Sequence, residues 1–350
     1  MVVTLSSLAD LSCAGFDTLI DARAPAEWAE DHLPGAINLP VLDDAERARV
    51  GTIYKQVSPF LARKVGGALV ARNVAAHLEG PLADKDGAWR PLIYCWRGGQ
   101  RSGAFAAILG QVGWRVETLA GGYKAYRRLV VQRVYETPVQ SPVVVLDGNT
   151  GTAKTELLAL LALRGVQVID LEGLAQHRGS VFGARPGGQP SQKAFEGRVA
   201  AALAALDLTR PVVVEAESSK VGARNVPPVL WAAMCAAPRL TVRATLGDRA
   251  TYLVRAYGDL LADPVALAAT LDRLRPLHAA DVIAGWQAMA IMGDYPALAA
   301  DLMTRHYDPR YIRQRPQMPG LDIEAGALWG PALDDLADRL VLAVARATAG

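Results

Sequence analysis

The sequence predicts an α/β fold class: two α/β domains in series, the second ending in a helical part. Three observations predict it. Strand, loop and helix patterns alternate along the first third of the chain. That series breaks at Glu136-Thr137-Pro138, and a second one opens after Pro142. A chain of 350 residues, at about 150 per domain, also leads to two domains. We therefore expect domains at residues 1–133 and 134–350.

In order, Thr18 to Ile20 is a short strand ending at Asp21, and Pro25 to Asp31 a helical turn. Leu33-Pro34-Gly35-Ala36 is a turn, and Ile37 to Leu39 an extended run closed by Pro40. Leu92-Ile93-Tyr94 has the pattern of a buried strand, Cys95 to Arg101 is a Gly-bearing loop, and Ser102 to Val112 has helical apolar spacing. Tyr123 to Arg133 is a basic linker helix that leads to the boundary. Beyond it come the strand Val143 to Leu146, a Gly-rich loop, a helix from Lys154 to Leu163 and the strand Val166 to Ile169. Val212 to Val214 and Leu240 to Leu246 are further strands, and the Ala- and Leu-rich stretch from Ala262 to Ala300 is helical.

Composition narrows the function classes. With 51% apolar residues and 37 Lys+Arg against 35 Asp+Glu, global disorder and a histone-like basic protein are excluded. The longest apolar candidate, Val282 to Met292, is too short to span a bilayer, which takes about 20 residues. The first basic residue is Arg23, so a secretory n-region is lacking, and a cytoplasmic protein without membrane partners is expected. Only Cys13, Cys95 and Cys235 occur, without CxxC spacing, which argues against a disulfide framework or a zinc site; haem is not expected either.

Any special cysteine is special for reactivity, and Cys95 is the candidate. Cys95-Trp96-Arg97-Gly98-Gly99-Gln100-Arg101-Ser102 joins a strand to a helix, so loop N–H groups and a helix N-terminus face the sulfur. Arg97 and Arg101 add positive charge. Cys95 and Arg101 also satisfy the C-x5-R spacing of cysteine phosphatases, in which the arginine grips the phosphate.

Gly148-Asn149-Thr150-Gly151-Thr152-Ala153-Lys154-Thr155 follows a strand and opens a helix, the context a P-loop requires. Its N–H groups would face phosphate oxygens, Lys154 would neutralise them, and the Thr155 hydroxyl could reach Mg²⁺. Ala153 stands where glycine is usual, at a cost on the order of 1–2 kcal/mol if its backbone is left-handed. Glu215 closes a strand as metal-water ligands do in such folds, with Glu217 its neighbour. Asp170, Glu172, His177 and Arg178 crowd the region after another strand, near the expected ligand edge.

Asp21 to Trp28, His32-Leu33-Pro34-Gly35-Ala36-Ile37-Asn38-Leu39-Pro40 and Leu119-Ala120-Gly121-Gly122-Tyr123 resemble the signatures of rhodanese domains, with Asp31 a departure from the usual glycine. That resemblance implies a rhodanese-like α/β domain whose Cys95 carries sulfur or selenium as a persulfide or perselenide, and the loop Gly148 to Thr155 makes the domain after it P-loop NTPase-like. Val50 to Pro59, Asp170 to Ser180 and Glu217-Ser218-Ser219-Lys220-Val221-Gly222 extend it to the tRNA 2-selenouridine synthase family. The family resemblance implies a transferase that geranylates the wobble 2-thiouridine of tRNA with geranyl diphosphate. Selenium from selenophosphate then replaces the sulfur, with a selenophosphate-supplying enzyme as a partner. Lys154 and Thr155 would hold the diphosphate, and the geranyl chain requires an apolar groove, at about 0.8 kcal/mol per buried CH₂.

For tRNA the candidates are Lys124, Arg127, Arg128 and Arg133, and a later run that interleaves Arg305, Arg310, Arg313 and Arg315 with Tyr307 and Tyr311. Two competing readings stand beside the family one. A rhodanese-type sulfurtransferase or cysteine phosphatase fused to a P-loop kinase would turn over thiosulfate, aryl phosphate or ATP without tRNA. A binding module would hold tRNA with both pockets as relics.

Overall fold

The computed structural model describes residues 1–13, 15–314 and 320–348. The chain forms two units, Met1–Thr137 with Pro190–Ala205, and Pro138–Gln189 with Leu206–Gly350. The first division falls after Thr137, and a later segment joins the first unit. Residues 190–205 carry the helix Gln192–Ala204, which packs on the helix Gly122–Val131 of the first unit. Arg127 pairs there with Glu196, and the Arg133 guanidinium donates to the Leu203 carbonyl. Such long-range pairings leave no local signal in the sequence, so a single cut after Arg133 could not include that helix.

The first unit is built on β1 (Val2–Val3), β2 (Thr18–Asp21), β3 (Ile37–Asn38), β4 (Pro91–Tyr94) and β5 (Glu117–Leu119), in the order β1-β5-β4-β2-β3 with every pair parallel. All of β4 is buried, as a parallel strand covered on both faces must be. Ile20 and Ile93 pack with Phe105 and Leu109 of the helix Gln100–Val112. The register sets Asp21 opposite Tyr94, so the loops bearing Arg23 and Cys95 leave the sheet at the same edge.

The second unit contains β6 (Val143–Gly148), β7 (Gln167–Ile169), β8 (Val212–Glu215), a two-stranded ribbon of β9 (Lys220–Val221) and β10 (Arg224–Asn225), β11 (Arg239–Arg243) and β12 (Gly320–Glu324). Its main sheet is parallel, in the order β12-β11-β6-β8-β7. The chain leaves β6 toward one side and later returns to its other side, so a switch-point crevice opens at the carboxyl end of β6. Leu146 lies opposite Glu215, which brings Glu215 to that crevice. Leu157 and Leu161 of the helix Lys154–Leu163 share a core with Leu336 and Leu340 of the helix Gly330–Ala347. A separate cluster of Leu267, Ile283, Trp286 and Leu298 holds the helical part together.

One expected strand is shorter. The run Leu240 to Leu246 stays extended only to Arg243, because Thr245 accepts a hydrogen bond from the Asp248 N–H and caps the helix Leu246–Ala256. Among the described residues no helix is long and apolar enough to cross a membrane.

Candidate functional site

Each unit carries a candidate site at the carboxyl edge of its sheet. In the first, Cys95 follows β4 and is buried. Its Sγ accepts the Gly99 N–H at 3.3 Å and the Ser102 hydroxyl at 3.2 Å. Burial raises the thiol pKa, but the hydrogen bonds from Ser102 and Gly99 and the charge of Arg101 outweigh it, so the thiol lies below its ordinary value. The loop's shape depends on glycine. A Cβ on Gly122, where φ is 53°, would stand 2.1 Å from the Cys95 carbonyl oxygen, and that oxygen accepts the Tyr123 N–H at 2.8 Å.

The two arginines of this loop have different situations. Arg97 is exposed. Arg101 donates to Glu27, Nη1 to Oε2 at 2.7 Å and Nη2 to Oε1 at 3.3 Å. A guanidinium committed in this way is not the free phosphate grip that a cysteine phosphatase needs. Below the loop, Arg23 is clamped on Asp21 and on the Asp31 carbonyl and lies 4.1 Å from the centroid of the Tyr123 ring. Asp31 is itself buried and accepts the Tyr123 hydroxyl at 2.8 Å. The residue that departs from the rhodanese pattern is thus one side chain away from the cysteine loop.

In the second unit, residues 148–155 wrap the amino end of the helix Lys154–Leu163. Ala153 is left-handed, with φ 58° and ψ 26°, so the strain foreseen for an alanine here is present. The Lys154 ammonium donates to the Gly148 carbonyl at 2.8 Å, and the Thr155 hydroxyl to Glu172 at 3.0 Å. Arg249 braces the loop from behind, donating to the Thr150 carbonyl and pairing with Asp308, which also accepts from Asn149. Tyr311 donates to Asp147 at 2.6 Å, while Arg239 pairs with the other oxygen of that buried carboxylate.

An acidic group faces Lys154. Glu215 accepts the Glu172 N–H at 2.7 Å, and its second oxygen is buried without a partner. Burial, followed by the nearby charges of Glu172 and Asp170, raises Glu215 well above the carboxylate range. Burial and the charge of Glu172 push Glu217 up to about 8, against the opposing pull of Lys154. Asp170 caps the helix Leu171–Ala175 through the Gly173 N–H, and Arg178 is held by Asp259. His177 is half-buried, with Nδ1 unpaired. No group of three or more His, Cys, Asp or Glu side chains among the described residues is arranged to hold a metal ion.

The loop opens into a cavity of about 990 Å³ whose walls include Lys154, Glu172, Glu217, Arg178 and Arg310. A smaller apolar pocket of about 70 Å³ adjoins it, lined by Phe182, Leu260, Leu267, Leu298 and Leu302. Thr150, Leu253, Tyr257 and Tyr307 line both spaces. Sequence reasoning missed Asp147, Arg239, Arg249 and the apolar pocket. Only Asp147, at a strand end directly before the glycine loop, had a local signal.

The basic candidates divide. In the first unit Lys124 and Arg128 are exposed, whereas Arg127 and Arg133 are bound to Glu196 and to backbone carbonyls. In the second, Arg305 pairs with Asp301, and Arg310 faces the cavity. The Arg313 side chain and Arg315 lie outside the described residues.

Fold and sites together define a rhodanese-like domain joined to a P-loop domain. The rhodanese-like domain family matches residues 4–129, and the tRNA 2-selenouridine synthase AAA domain family matches residues 141–269. The chain is 39% identical over 251 residues to the tRNA 2-selenouridine synthase of Pseudomonas syringae pv. syringae, covering 68% of this chain and 65% of that one. For the same enzyme of Chromohalobacter salexigens the identity is 42% over 248 residues, covering 69% and 66%. With that of Verminephrobacter eiseniae it is 35% over 345 residues, covering 89% of this chain and 92% of the relative. The chain belongs to the tRNA 2-selenouridine synthase family. It spans about two thirds of the length of the first two of these relatives.

Proposed function

We propose that the protein is a tRNA 2-selenouridine synthase that works in two steps, geranyl transfer in the P-loop unit and selenium transfer at Cys95. In the first step the 2-thiouridine sulfur attacks C1 of geranyl diphosphate. The S–C bond forms, the C–O bond breaks, and diphosphate leaves as the ring N3 proton is lost. Alkylation turns a poorly leaving, conjugated sulfur into a thiol leaving group and makes C2 more electrophilic. In the second step selenophosphate held at the Cys95 loop attacks C2 through its selenium. The C–Se bond forms, geranyl thiolate departs and takes a proton, and water cleaves the Se–P bond to release phosphate.

The observation that carries this reading is the junction of the two spaces beside the phosphate loop. Thr150, Leu253, Tyr257 and Tyr307 border both the polar cavity and the apolar pocket, so the lining suits a diphosphate head on one side and, in a space of about 70 Å³, the first part of a hydrocarbon tail on the other. A nucleoside triphosphate would leave the apolar end unused. Lys154 would meet the diphosphate once it exchanges its bond to the Gly148 carbonyl, and the loop N–H groups would take the oxygens. Thr155 and Glu172 are the residues that would hold Mg²⁺ against the diphosphate. In the first unit, the N–H and hydroxyl donors on Cys95 Sγ and its lowered thiol pKa support delivery of selenium there. The cytoplasmic setting and a selenophosphate-supplying partner belong to the same proposal.

Titration calorimetry tests the first step. Geranyl diphosphate binds the full chain, binding is lost in Lys154→Ala, and it weakens at least tenfold when Leu298→Asp places a charge in the apolar pocket. Tight ATP binding that Leu298→Asp leaves unchanged, with no binding of geranyl diphosphate, would reject the assignment.

A further inference from the structure

The cavity beside the phosphate loop has more positive charge than the loop accounts for. Of the cations that line it, Lys154 is bonded to the Gly148 carbonyl, Arg178 is paired with Asp259 and Arg239 with Asp147. Arg185, Lys220 and Arg310 line the same cavity, and among the described residues none of the three side chains has an ion-pair or hydrogen-bond partner. Nε of Arg185 is moreover buried with nothing to donate to. A buried guanidinium N–H without an acceptor carries a desolvation cost that an incoming acceptor returns, and Glu172 on the same lining feels the Arg185 charge without a hydrogen bond to it. Trp231, on the helix Pro228–Ala236, also lines the cavity and is only partly covered.

Size points the same way. Pockets for single small ligands run to roughly 1,000 Å³ at most, and this one, at about 990 Å³, is at that limit while its diphosphate cradle occupies one wall. We propose that Arg185, Lys220 and Arg310 form a second anion subsite, which takes the phosphodiester of a single-stranded nucleotide whose base stacks on Trp231. The proposal rests on the geranyl-transfer reading. There the attacking sulfur must come within about 3–3.5 Å of the carbon that bears the diphosphate, so the nucleotide has to enter this cavity with its own phosphates. Two sets of phosphates in one cavity repel each other unless cations stand beside each, and the loop donors together with Lys154 serve only one of them. An aromatic face beside a basic wall is the pairing by which single-stranded RNA is held.

The test uses the full chain and an anticodon stem-loop RNA bearing 2-thiouridine. Anisotropy measures RNA binding across a salt series, and calorimetry measures geranyl diphosphate binding. Lys220 and Arg310 are exposed, so the double variant Lys220→Gln, Arg310→Gln keeps its fold. It is expected to bind RNA at least tenfold more weakly, with a salt slope smaller by about 1.4 for two lost phosphate contacts. Adding Arg185→Gln removes a further contact, and Trp231→Ala weakens RNA binding about tenfold or more, with partial rescue by Trp231→Phe. Geranyl diphosphate affinity stays within twofold throughout. Unchanged RNA binding in the double variant would overturn the proposal, as would a loss of geranyl diphosphate affinity equal to the loss for RNA, which would assign these cations to the loop's own ligand. Failure of the underlying reading would look different: wild-type protein would bind the RNA through these residues yet form no geranylated nucleoside.

Discussion

Glu27 holds Arg101 in a two-pronged ion pair, Nη1 to Oε2 at 2.7 Å, and Arg101 is the cation whose charge helps keep the Cys95 thiol below its ordinary pKa. Glu27 therefore moderates the cysteine from a distance. Glu27→Gln leaves the guanidinium charge uncompensated, so the thiol pKa falls further and alkylation by iodoacetamide at pH 7 speeds up a few-fold. Slower alkylation in a folded variant would contradict this electrostatic account.

Ala153 pays for a left-handed backbone at φ 58°. Ala153→Gly removes a strain of about 1–2 kcal/mol, and the greater freedom of glycine in the unfolded chain returns about 0.4–1 kcal/mol of it. The net expectation is a stabilisation of about 0.5–1 kcal/mol, read from the urea midpoint of the second unit's transition. Gly148→Ala has the opposite sign, because its Cβ would stand 2.4 Å from Thr152 Oγ1.

Gly122→Ala places a Cβ 2.1 Å from the Cys95 carbonyl oxygen and so breaks the clasp between the turn at Gly121–Gly122 and the cysteine loop. Selenium incorporation is expected to fall at least a hundredfold, while geranyl transfer by the second unit continues. Assays of the two products on one sample check the separation.

The carboxylates facing Lys154 give the protein a pH signature. Glu217 is raised to about 8, and Glu172 and Glu215 are raised as well, in each case first by burial. A carboxyl group that binds its proton more tightly when folded stabilises the fold below its unfolded pKa, and that contribution is lost as pH rises through the folded value. Stability of the unliganded chain should therefore decline between about pH 4.5 and pH 8, and Glu217→Gln should make the decline shallower. Urea midpoints at half-unit pH steps measure both. A rise in stability across this window would contradict the assignment.

Much of this was legible in the sequence because the two loops are local structures. Strand, glycine-bearing loop and helix follow one another within a few residues around both Cys95 and Lys154, so residue types alone fix the chemistry they can offer. The partners that complete each site come from far along the chain. Tyr311 reaches Asp147 across 164 residues and Arg249 reaches Thr150 across 99, and hydrophobic period carries no trace of either. Glu27, which occupies Arg101, and the helix Gln192–Ala204, which occupies Arg127, were hidden for the same reason. The basic residues of the two candidate tRNA-binding runs divide into structural clamps such as Arg127 and exposed charges such as Lys124 once their partners are in place.

The proposed geranyl and selenium transfers depend on two separate residues of one chain, Lys154 and Cys95. The most direct measurement is mass spectrometry of nucleosides from 2-thiouridine tRNA incubated with geranyl diphosphate and then selenophosphate, using wild type, Lys154→Ala and Cys95→Ala. Wild type is expected to form geranylthiouridine and then selenouridine, Lys154→Ala neither product, and Cys95→Ala geranylthiouridine that accumulates without selenouridine. Selenouridine formed by Lys154→Ala, or by Cys95→Ala at the wild-type rate, would contradict this dependence.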